Sequence, residues 1–151
     1  MSPIIVRPAV ASEREALEAL QWRASLNNPA DRDALLAHPD SIVLPLQQIV
    51  EGGVFVAEQS GNVKGFSAIL SRPDGNSELD ALFVEPECWR QGVGRVLVDH
   101  CVVAARRAGA SYLHVIGNPH AEHFYGACGF QVLGIERTSF GFGLLMRREL
   151  Q

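Results

Sequence analysis

Lysine is almost missing from the sequence: of its 13 basic residues, Lys64 is the one lysine and the others are arginines. Acidic residues number 17, so the formal net charge at neutral pH is −4. A protein that holds nucleic acid through its phosphates needs a clustered surplus of basic side chains. The charge balance therefore argues against a nucleic-acid partner and slightly favours a cationic small molecule or a peptide amine.

Long apolar runs are missing as well. No stretch of the sequence approaches the roughly 20 apolar residues that a membrane-spanning helix needs, so we expect no membrane partner. The first residues, MSPIIVRPAVASERE, lack the basic segment followed by an apolar segment that marks a secretory signal peptide. We therefore expect no signal peptide.

Cysteine is scarce, with three residues at Cys88, Cys101 and Cys128. Their separations match no paired metal-ligand spacing, and His120 and His123 have no evident third ligand, so we expect no metal ion. An odd number of cysteines in a chain without a signal peptide suggests reduced thiols. We therefore expect a cytoplasmic protein.

Apolar periodicity and turn residues divide the chain into helices and strands. Helical spacing predicts helices over 12–26, 28–38, 44–53, 93–108 and 121–128. Apolar runs predict strands over 4–8, on both sides of the 60–62 turn within 54–70, and over 77–84, 112–117, 131–138 and 144–150. The first helix is expected to begin with a capping box formed by Ser12 and Glu15.

The order of these elements predicts an α/β (α+β) protein with a mixed, mostly antiparallel sheet of about seven strands, flanked by about four helices. Strand 77–84, helix 93–108 and strand 112–117 form a βαβ unit, whose two strands should be parallel. No linker, low-complexity segment or internal repeat interrupts the chain, so 1–151 is expected to be a single domain.

The segment CWRQGVGRVLVDH, residues 88–100, places two glycines between a strand and the next helix. The first turn of a helix has unpaired N–H groups and a positive dipole end, and glycine removes the Cβ atoms that would hold an anion away. The N–H groups from Gln91 to Arg95, with the charges of Arg90 and Arg95, therefore predict a cradle for phosphate or pyrophosphate. The alternative is a tight turn with two solvent-facing arginines, and the loop alone does not decide between them.

A second segment decides in favour of the cradle. NPHAEHFYGACGF, residues 118–130, follows the next predicted strand, and with the Gly-x-Gly loop it resembles the GCN5-related N-acetyltransferase (GNAT) superfamily. The resemblance extends over the whole chain in element order and is strongest from Glu78 to Phe130. The sequence departs from the family pattern at Trp89, where many members have Arg or Gln.

The resemblance implies a GNAT fold in which strands 77–84 and 112–117 splay apart and acetyl-CoA lies in the gap. Its pantetheine arm would pair with the backbone of the first of these strands, and its pyrophosphate would lie on the Gly-x-Gly loop. The implied cofactor-binding residues are Leu82, Phe83, Val84, Arg90, Gln91, Gly92, Val93, Gly94, Arg95, Asn118, Ala121, Phe124 and Tyr125.

Transfer of an acetyl group to an amine makes further demands. A primary amine has a pKa near 10, so a carboxylate, directly or through water, must remove its proton at neutral pH. Glu78 matches the position where some family members keep this base, and Asp80 is the other candidate; either could instead be a solvated strand end. By family position the N–H of Leu82 would hold the oxyanion, and Tyr125 would protonate the departing thiolate unless it is a core aromatic.

The sequence says least about the residues that bind the acetyl acceptor. Trp22 and Arg23 on the first helix are candidate substrate residues, with a packed Trp and a surface Arg as the alternative. Three functions remain open: an N-acetyltransferase that acts on a primary amine of a small molecule or peptide, a non-catalytic acyl-CoA-binding module, and an unrelated phosphoanion-binding protein. The last strand, in GFGLLMRREL, either closes the sheet or pairs with a second copy in a homodimer.

Overall fold

A computed structural model describes residues 2–138 and 141–150. The strands are β1 (Ile5–Pro8), β2 (Val54–Gln59), β3 (Asn62–Ser71), β4 (Ser77–Val84), β5 (Tyr112–Gly117), β6 (Gln131–Thr138) and β7 (Gly141–Glu149). The α-helices in the described part are α1 (Arg14–Leu26), α2 (Pro29–Ala37), α3 (Leu46–Val50), α4 (Val93–Arg107) and α5 (Glu122–Ala127). Single 3₁₀ turns cover Ala11–Glu13, Pro86–Cys88 and Pro119–Ala121.

The strands form one seven-stranded sheet in the order β1-β2-β3-β4-β5-β7-β6. β4 and β5 are parallel, whereas β1–β2, β2–β3, β5–β7 and β6–β7 are antiparallel. The predicted fold class and the parallel pair around α4 are therefore confirmed, with five α-helices in the described part where about four were expected. β7 lies between β5 and β6, so the last strand is inside the sheet.

The chain divides into two compact units. The first unit comprises Met1–Ala68 and Ala81–Leu97, and the second comprises Ile69–Asp80 and Val98–Gln151. The boundaries fall within β3, β4 and α4, so each of these elements contributes residues to both units. The prediction of a single domain over 1–151 stays a prediction.

In the first unit β2 is buried on both faces. Val54 and Val56 pack in one cluster with side chains of α1, α3 and β3, and Ala57 packs in another with Val93 and Leu97 from the start of α4. Gly65 of β3 permits this second contact. A Cβ there would lie 2.9 Å from the Phe83 carbonyl oxygen and 3.2 Å from side-chain atoms of Val93 and Leu97. The absence of a side chain at Gly65 thus allows the first turns of α4 to pack closely against β3.

In the second unit β5 has one buried and one half-buried face. Leu113 and Val115 are buried, and Tyr112 and His114, which alternate with them, are only half-buried. Because successive side chains of a strand point to opposite faces, the apolar residues form one face and the polar residues the other. The second face carries polar side chains that are described below.

The first helix does not begin as the sequence predicts. A 3₁₀ turn over Ala11–Glu13 precedes α1, and the Glu13 carboxylate, not that of Glu15, accepts the Val10 N–H at 2.9 Å. Arg7 of β1 donates to both Glu13 oxygens at 3.0 and 2.9 Å, and this pairing lowers the pKa of Glu13. The predicted capping box of Ser12 and Glu15 is therefore wrong, because an ion pair to β1 selects a different carboxylate.

Candidate active site

The loop between β4 and α4 is anchored by its own backbone and by one indole. The Cys88 N–H donates to the Glu85 carbonyl at 2.8 Å, and the Cys88 side chain is buried. The Trp89 ring is 43% exposed, yet its Nε1–H donates to the Val84 carbonyl at 2.8 Å. Trp89, the departure from the family pattern, thus ties the loop back to the end of β4.

Two residues of the loop have left-handed backbone conformations. Arg90 has φ +64° and Gly92 has φ +90°. A non-glycine residue with positive φ is uncommon, and it indicates that the surrounding structure determines the loop conformation. A Cβ at Gly92 would meet no atom within 4 Å, so glycine is needed there for its backbone conformation and leaves open space beside it.

The start of α4 supplies donors beside that open space. The Val96 N–H donates to the Gly92 carbonyl at 3.1 Å, and the peptide N–H groups of 93–95 come before this first helical bond. Such groups have no acceptor within a helix and lie at its positive dipole end. Arg90 and Arg95 are exposed, and neither guanidinium has an ion pair within the described ranges. The predicted loop residues therefore form a cationic, donor-rich surface.

The end of β4 presents peptide groups at a defined edge. The Glu85 N–H donates to the Lys64 carbonyl of β3 at 2.8 Å. Because backbone groups alternate between the two edges of a strand, those of Leu82 and Val84 point to the edge away from β3. Their side chains are fixed by packing near Val93 and Leu97. The predicted backbone contacts with cofactor would form at this edge of β4, away from β3. The Val84 carbonyl already accepts a hydrogen bond there from Trp89.

Phe83, the third predicted residue of this strand, faces the other cluster. Its ring centroid lies 5.7 Å from that of buried Phe66 at a tilt of 35°. The side chain of Phe83 therefore serves the core of the first unit, and by the same alternation its peptide groups point toward β3, so its contact with cofactor stays a prediction.

The two predicted acceptor residues lie near the end of α1. Arg23 donates to both oxygens of Glu85, from Nε at 3.0 Å and from Nη2 at 2.7 Å. This hydrogen bond raises the pKa of Arg23, whose side chain is 50% exposed. Trp22 is half-buried. Arg23 thus has an internal partner, and a role for either residue in acceptor binding stays a prediction.

In the second unit Glu78, the residue predicted as the general base, is hydrogen-bonded to an arginine. Glu78 of β4 accepts from Arg72 Nη1 at 3.3 Å, and Arg72 Nε lies 3.3 and 3.2 Å from the two oxygens of Asp74. A turn positions Arg72, because its N–H donates to the Asn76 carbonyl at 2.8 Å. A general base at Glu78 would therefore act while hydrogen-bonded to a guanidinium, whereas Asp80 is exposed.

Tyr125 of α5 is a buried aromatic with a distinctive hydroxyl. Its ring lies edge-on to Phe124 and Phe130, with centroids 5.1 and 5.5 Å away. Gly117 admits the ring, since a Cβ there would lie 3.0 Å from Tyr125 Cε2. The hydroxyl makes no hydrogen bond to a described residue. Burial raises the pKa of Tyr125, which therefore keeps its proton at neutral pH.

The remaining predicted residues follow β5. The Asn118 side chain accepts the His120 N–H at 2.9 Å, and the Asn118 carbonyl accepts the Ala121 N–H at 2.8 Å. These bonds cap the turn that leads into α5, where Ala121 and Phe124 are half-buried. Asn118 thus positions the Tyr125 helix, and its predicted contact with cofactor stays a prediction.

Sequence reasoning missed three polar residues of the second unit, namely Arg72, His114 and Arg147. His114 is opposite Glu78 in the β4–β5 register, and Arg147 is opposite His114 in the β5–β7 register. Desolvation, followed by the charge of Arg72, lowers the pKa of His114. The signal in the sequence was the alternation in YLHVIG, which places a histidine between two buried positions.

The residues that the structure describes contain no group of three or more potential metal ligands. Within the same ranges, no helix combines the length and apolar character needed to cross a membrane. All three cysteines are buried thiols.

Comparisons with known proteins agree with this geometry. The model of the acetyltransferase (GNAT) family matches residues 15–130. The fold is similar to a GCN5-related N-acetyltransferase structure from Rhodopseudomonas palustris, with TM-score 0.79, 21% identity and coverage of 99% of this chain and 98% of that one. No curated protein sequence matches the chain.

Two further structures share the fold at low identity. The PaiA N-acetyltransferase from Thermoplasma acidophilum, solved with coenzyme A, has TM-score 0.76 and 18% identity over 97% of this chain and 99% of that one. The ribosomal-protein-S18-alanine N-acetyltransferase from Escherichia coli has TM-score 0.71 and 18% identity over 99% of this chain and 95% of that one.

Proposed function

The chain belongs to the acetyltransferase (GNAT) family, and on that premise we propose that it transfers the acetyl group of acetyl-CoA to a primary amine of a small molecule or peptide. The proposal treats 1–151 as one catalytic domain that needs no metal. Its cytoplasmic location, and the absence of nucleic-acid and membrane partners, are parts of the same proposal and rest on the sequence.

The observation that carries the proposal is the loop over 89–95. At this loop a Cβ added to Gly92 would meet no atom within 4 Å, and the N–H groups at the start of α4 lie beside that open space. The loop also carries two arginines without an ion pair in the described ranges. Donors at a helix N-terminus, together with full positive charges, suit a diphosphate. Acetyl-CoA fits this loop through its pyrophosphate and supplies an activated thioester when bound.

The first unit would hold and polarise the donor. Peptide groups of Leu82 and Val84 point to the strand edge away from β3, where an extended amide chain could pair with them. The N–H of Leu82 would stabilise the negative charge that develops on the thioester oxygen, since a donor already in place requires no reorganisation.

The second unit would move the protons. Glu78, or Asp80 in its place, would take a proton from the acceptor ammonium, directly or through water, and leave a neutral amine that can attack. As the carbon–sulfur bond breaks, the Tyr125 hydroxyl would give its proton to the thiolate, and the proton that the attacking nitrogen loses as the amide forms would return to the tyrosinate through water. The raised pKa of Tyr125 means that the hydroxyl still carries its proton at neutral pH.

A non-catalytic acyl-CoA-binding module is the second candidate. The observation that favours it is the Glu78–Arg72 ion pair, because it gives the Glu78 carboxylate a partner that has no part in proton transfer. This candidate gives no role to the Tyr125 hydroxyl, which lacks a hydrogen-bond partner among the described residues although its ring is buried.

A screen of acetyl-CoA consumption separates the two candidates. Purified protein is incubated with acetyl-CoA and amines, polyamines, amino acids or aminoglycosides, and release of the CoA thiol is followed. The proposal predicts amine-dependent release by the wild type and strongly reduced release by Tyr125→Phe. Tight CoA binding by calorimetry without any amine-dependent release would instead support the binding module.

A further inference from the structure

A polar row crosses the sheet of the second unit. The registers place Glu78 opposite His114 and His114 opposite Arg147 on three neighbouring strands. Residues paired in register share a face, so these three side chains lie on the same side of the sheet. Each is half-buried, whereas Val115 and Met146 on the opposite face are buried. The row is therefore a solvent-accessible polar surface over an apolar core.

The two arginines of this surface differ in their partners. Arg72 is neutralised, because it forms ion pairs with Asp74 at 3.2 Å and with Glu78 at 3.3 Å. Arg147 has no ion pair or hydrogen-bonded carboxylate within the described ranges. Its guanidinium carbon instead lies 4.0 Å from the centroid of the Tyr112 ring. Arg147 is thus a half-buried cation held in place by an aromatic face.

Stacking leaves the strongest donors of a guanidinium unused. A guanidinium whose central carbon lies over a ring can place its flat face on that ring, and its N–H bonds, which lie in the plane of the group, then point outward. A planar guanidinium fixed in this way matches the two oxygens of a carboxylate with two parallel hydrogen bonds. Because the stack restricts the side chain before any ligand arrives, less conformational entropy is lost on binding.

His114 adds a neutral partner beside this cation. Desolvation, Arg72 and Arg147 all lower the pKa of His114, while Asp74 raises it. The imidazole is therefore neutral at neutral pH and can donate or accept one hydrogen bond without adding charge. Arg147 is thus the guanidinium of this surface that an incoming carboxylate would meet without displacing an ion pair of the described residues.

We propose that Arg147, stacked on Tyr112, binds a carboxylate of the acceptor, so that the acceptor is an amine carrying a carboxylate, of the amino-acid class. This inference rests on the proposed function. Arg147 and Glu78, the favoured base, lie two strands apart, which is about 10 Å between their backbones. One small molecule can reach both side chains with its carboxylate at Arg147 and its amine toward Glu78.

The test compares carboxylates with their amides. The probes are an equimolar mixture of the twenty protein amino acids and the matched mixture of their carboxamides. Arg147→Gln removes the charge but keeps a hydrogen-bonding side chain, and Arg147→Lys keeps the charge but loses the fork. Arg137→Gln is the control, since Arg137 is exposed and also lies over a ring, that of Phe142 at 5.7 Å.

We expect Arg147→Gln to lower kcat/KM for the amino acids by about 10- to 100-fold, because a charge-assisted hydrogen bond is lost. The loss should appear in KM. Arg147→Lys should recover part of it, and Arg137→Gln and all activity on carboxamides should change little. Equal losses on the two mixtures, or equal use of the two by the wild type, would overturn the inference.

A binding measurement keeps this outcome separate from that of the proposed function. The imidazole resonances of His114, assigned with His114→Gln, are followed by NMR during titration with the amino-acid mixture and with inorganic phosphate. A shift by amino acids in the wild type but not in Arg147→Gln supports the inference even if no acetyl transfer occurs. No shift by amino acids, or a shift by phosphate alone, overturns it, whereas failure of transfer alone counts against the proposed function.

Discussion

The two units present their functional groups by different means. In the first unit the loop over 89–95 and the end of β4 offer peptide groups, aimed by left-handed residues and by strand alternation. In the second unit the proposed groups are side chains, and each contacts a neighbour: Glu78 pairs with Arg72, and Arg147 lies over the ring of Tyr112. A site built from backbone tolerates many side-chain changes but not a change in backbone or space. A site built from side chains is sensitive to single functional groups.

The largest effect should come from filling the backbone site. We expect Gly94→Val to weaken CoA binding by about a hundredfold, because a branched side chain would displace a phosphate from several N–H donors. Position 94 is preferred to Gly92, where φ +90° would strain any side chain. Calorimetry measures the affinity, and circular dichroism verifies the fold.

Gly134→Val is the matched control for this change. Gly134 is in β6, its backbone has no positive φ, and an added Cβ there would meet no atom within 4 Å. CoA affinity should be unchanged in this variant. Unchanged affinity in a folded Gly94→Val protein would show that the loop does not hold the pyrophosphate.

A smaller, pH-dependent effect should follow from removing the base. We expect Glu78→Gln to lower turnover by about 10- to 100-fold near pH 7. The loss should shrink toward about pH 10, where the amine loses its proton without help. The ratio of wild-type to variant rates across this range is the measurement, with Asp80→Asn as the parallel variant. A constant ratio for Glu78→Gln would show that Glu78 only packs with Arg72. A pH-dependent ratio for Asp80→Asn alone would show that Asp80 is the general base.

The smallest effect on catalysis concerns the two edge strands. β1 ends in Pro8, and its Arg7 is paired with Glu13 and Glu58, features that discourage edge pairing. β6 instead exposes Val132, Leu133 and Ile135 at 46%, 52% and 69%. We expect the homodimer suggested by the sequence to form through β6.

Light scattering over a concentration series tests the dimer. Ile135→Lys should shift the mass to that of a monomer, with acetyl-CoA affinity within about twofold of the wild type, because β6 supplies none of the proposed cofactor residues. Glu136→Gln, which also changes the charge by +1, provides a charge-matched control on the same strand. A wild type that stays monomeric at all concentrations would contradict the expectation.

Local patterns made much of the fold predictable. The β4–α4–β5 unit follows from Pro86, the loop glycines and Gly109, since each residue marks a boundary by its own backbone preference. For the same reason the loop over 89–95 could be predicted as a candidate phosphate site, because its donors belong to consecutive residues. Tyr125 was predicted from the motif over 118–130. Its contacts with Phe124 and Phe130 could be expected as well, because these residues belong to the same short segment.

Side-chain contacts that depend on turn geometry or strand register were not predictable. The Glu78–Arg72 pair depends on the turn in which Arg72 bonds Asn76, and the stack of Arg147 on Tyr112 depends on the register of β7 against β5. The prediction for the start of α1 was wrong for the same reason, since a residue of β1 determines which carboxylate caps the helix. Such features are set by tertiary packing, and a single sequence carries no direct signal for them.

The most direct test of the central claim, that this chain catalyses acetyl transfer, is a single-turnover measurement on Tyr125→Phe beside a binding curve for acetyl-CoA. The ring would still pack between Phe124 and Phe130, so only the proton donor is removed. We predict a rate lower by about a hundredfold, the low end for general acid catalysis because a CoA thiol is already a fair leaving group, with acetyl-CoA affinity nearly intact. Equal rates for the two proteins, or a matched loss of affinity and rate, would contradict the account.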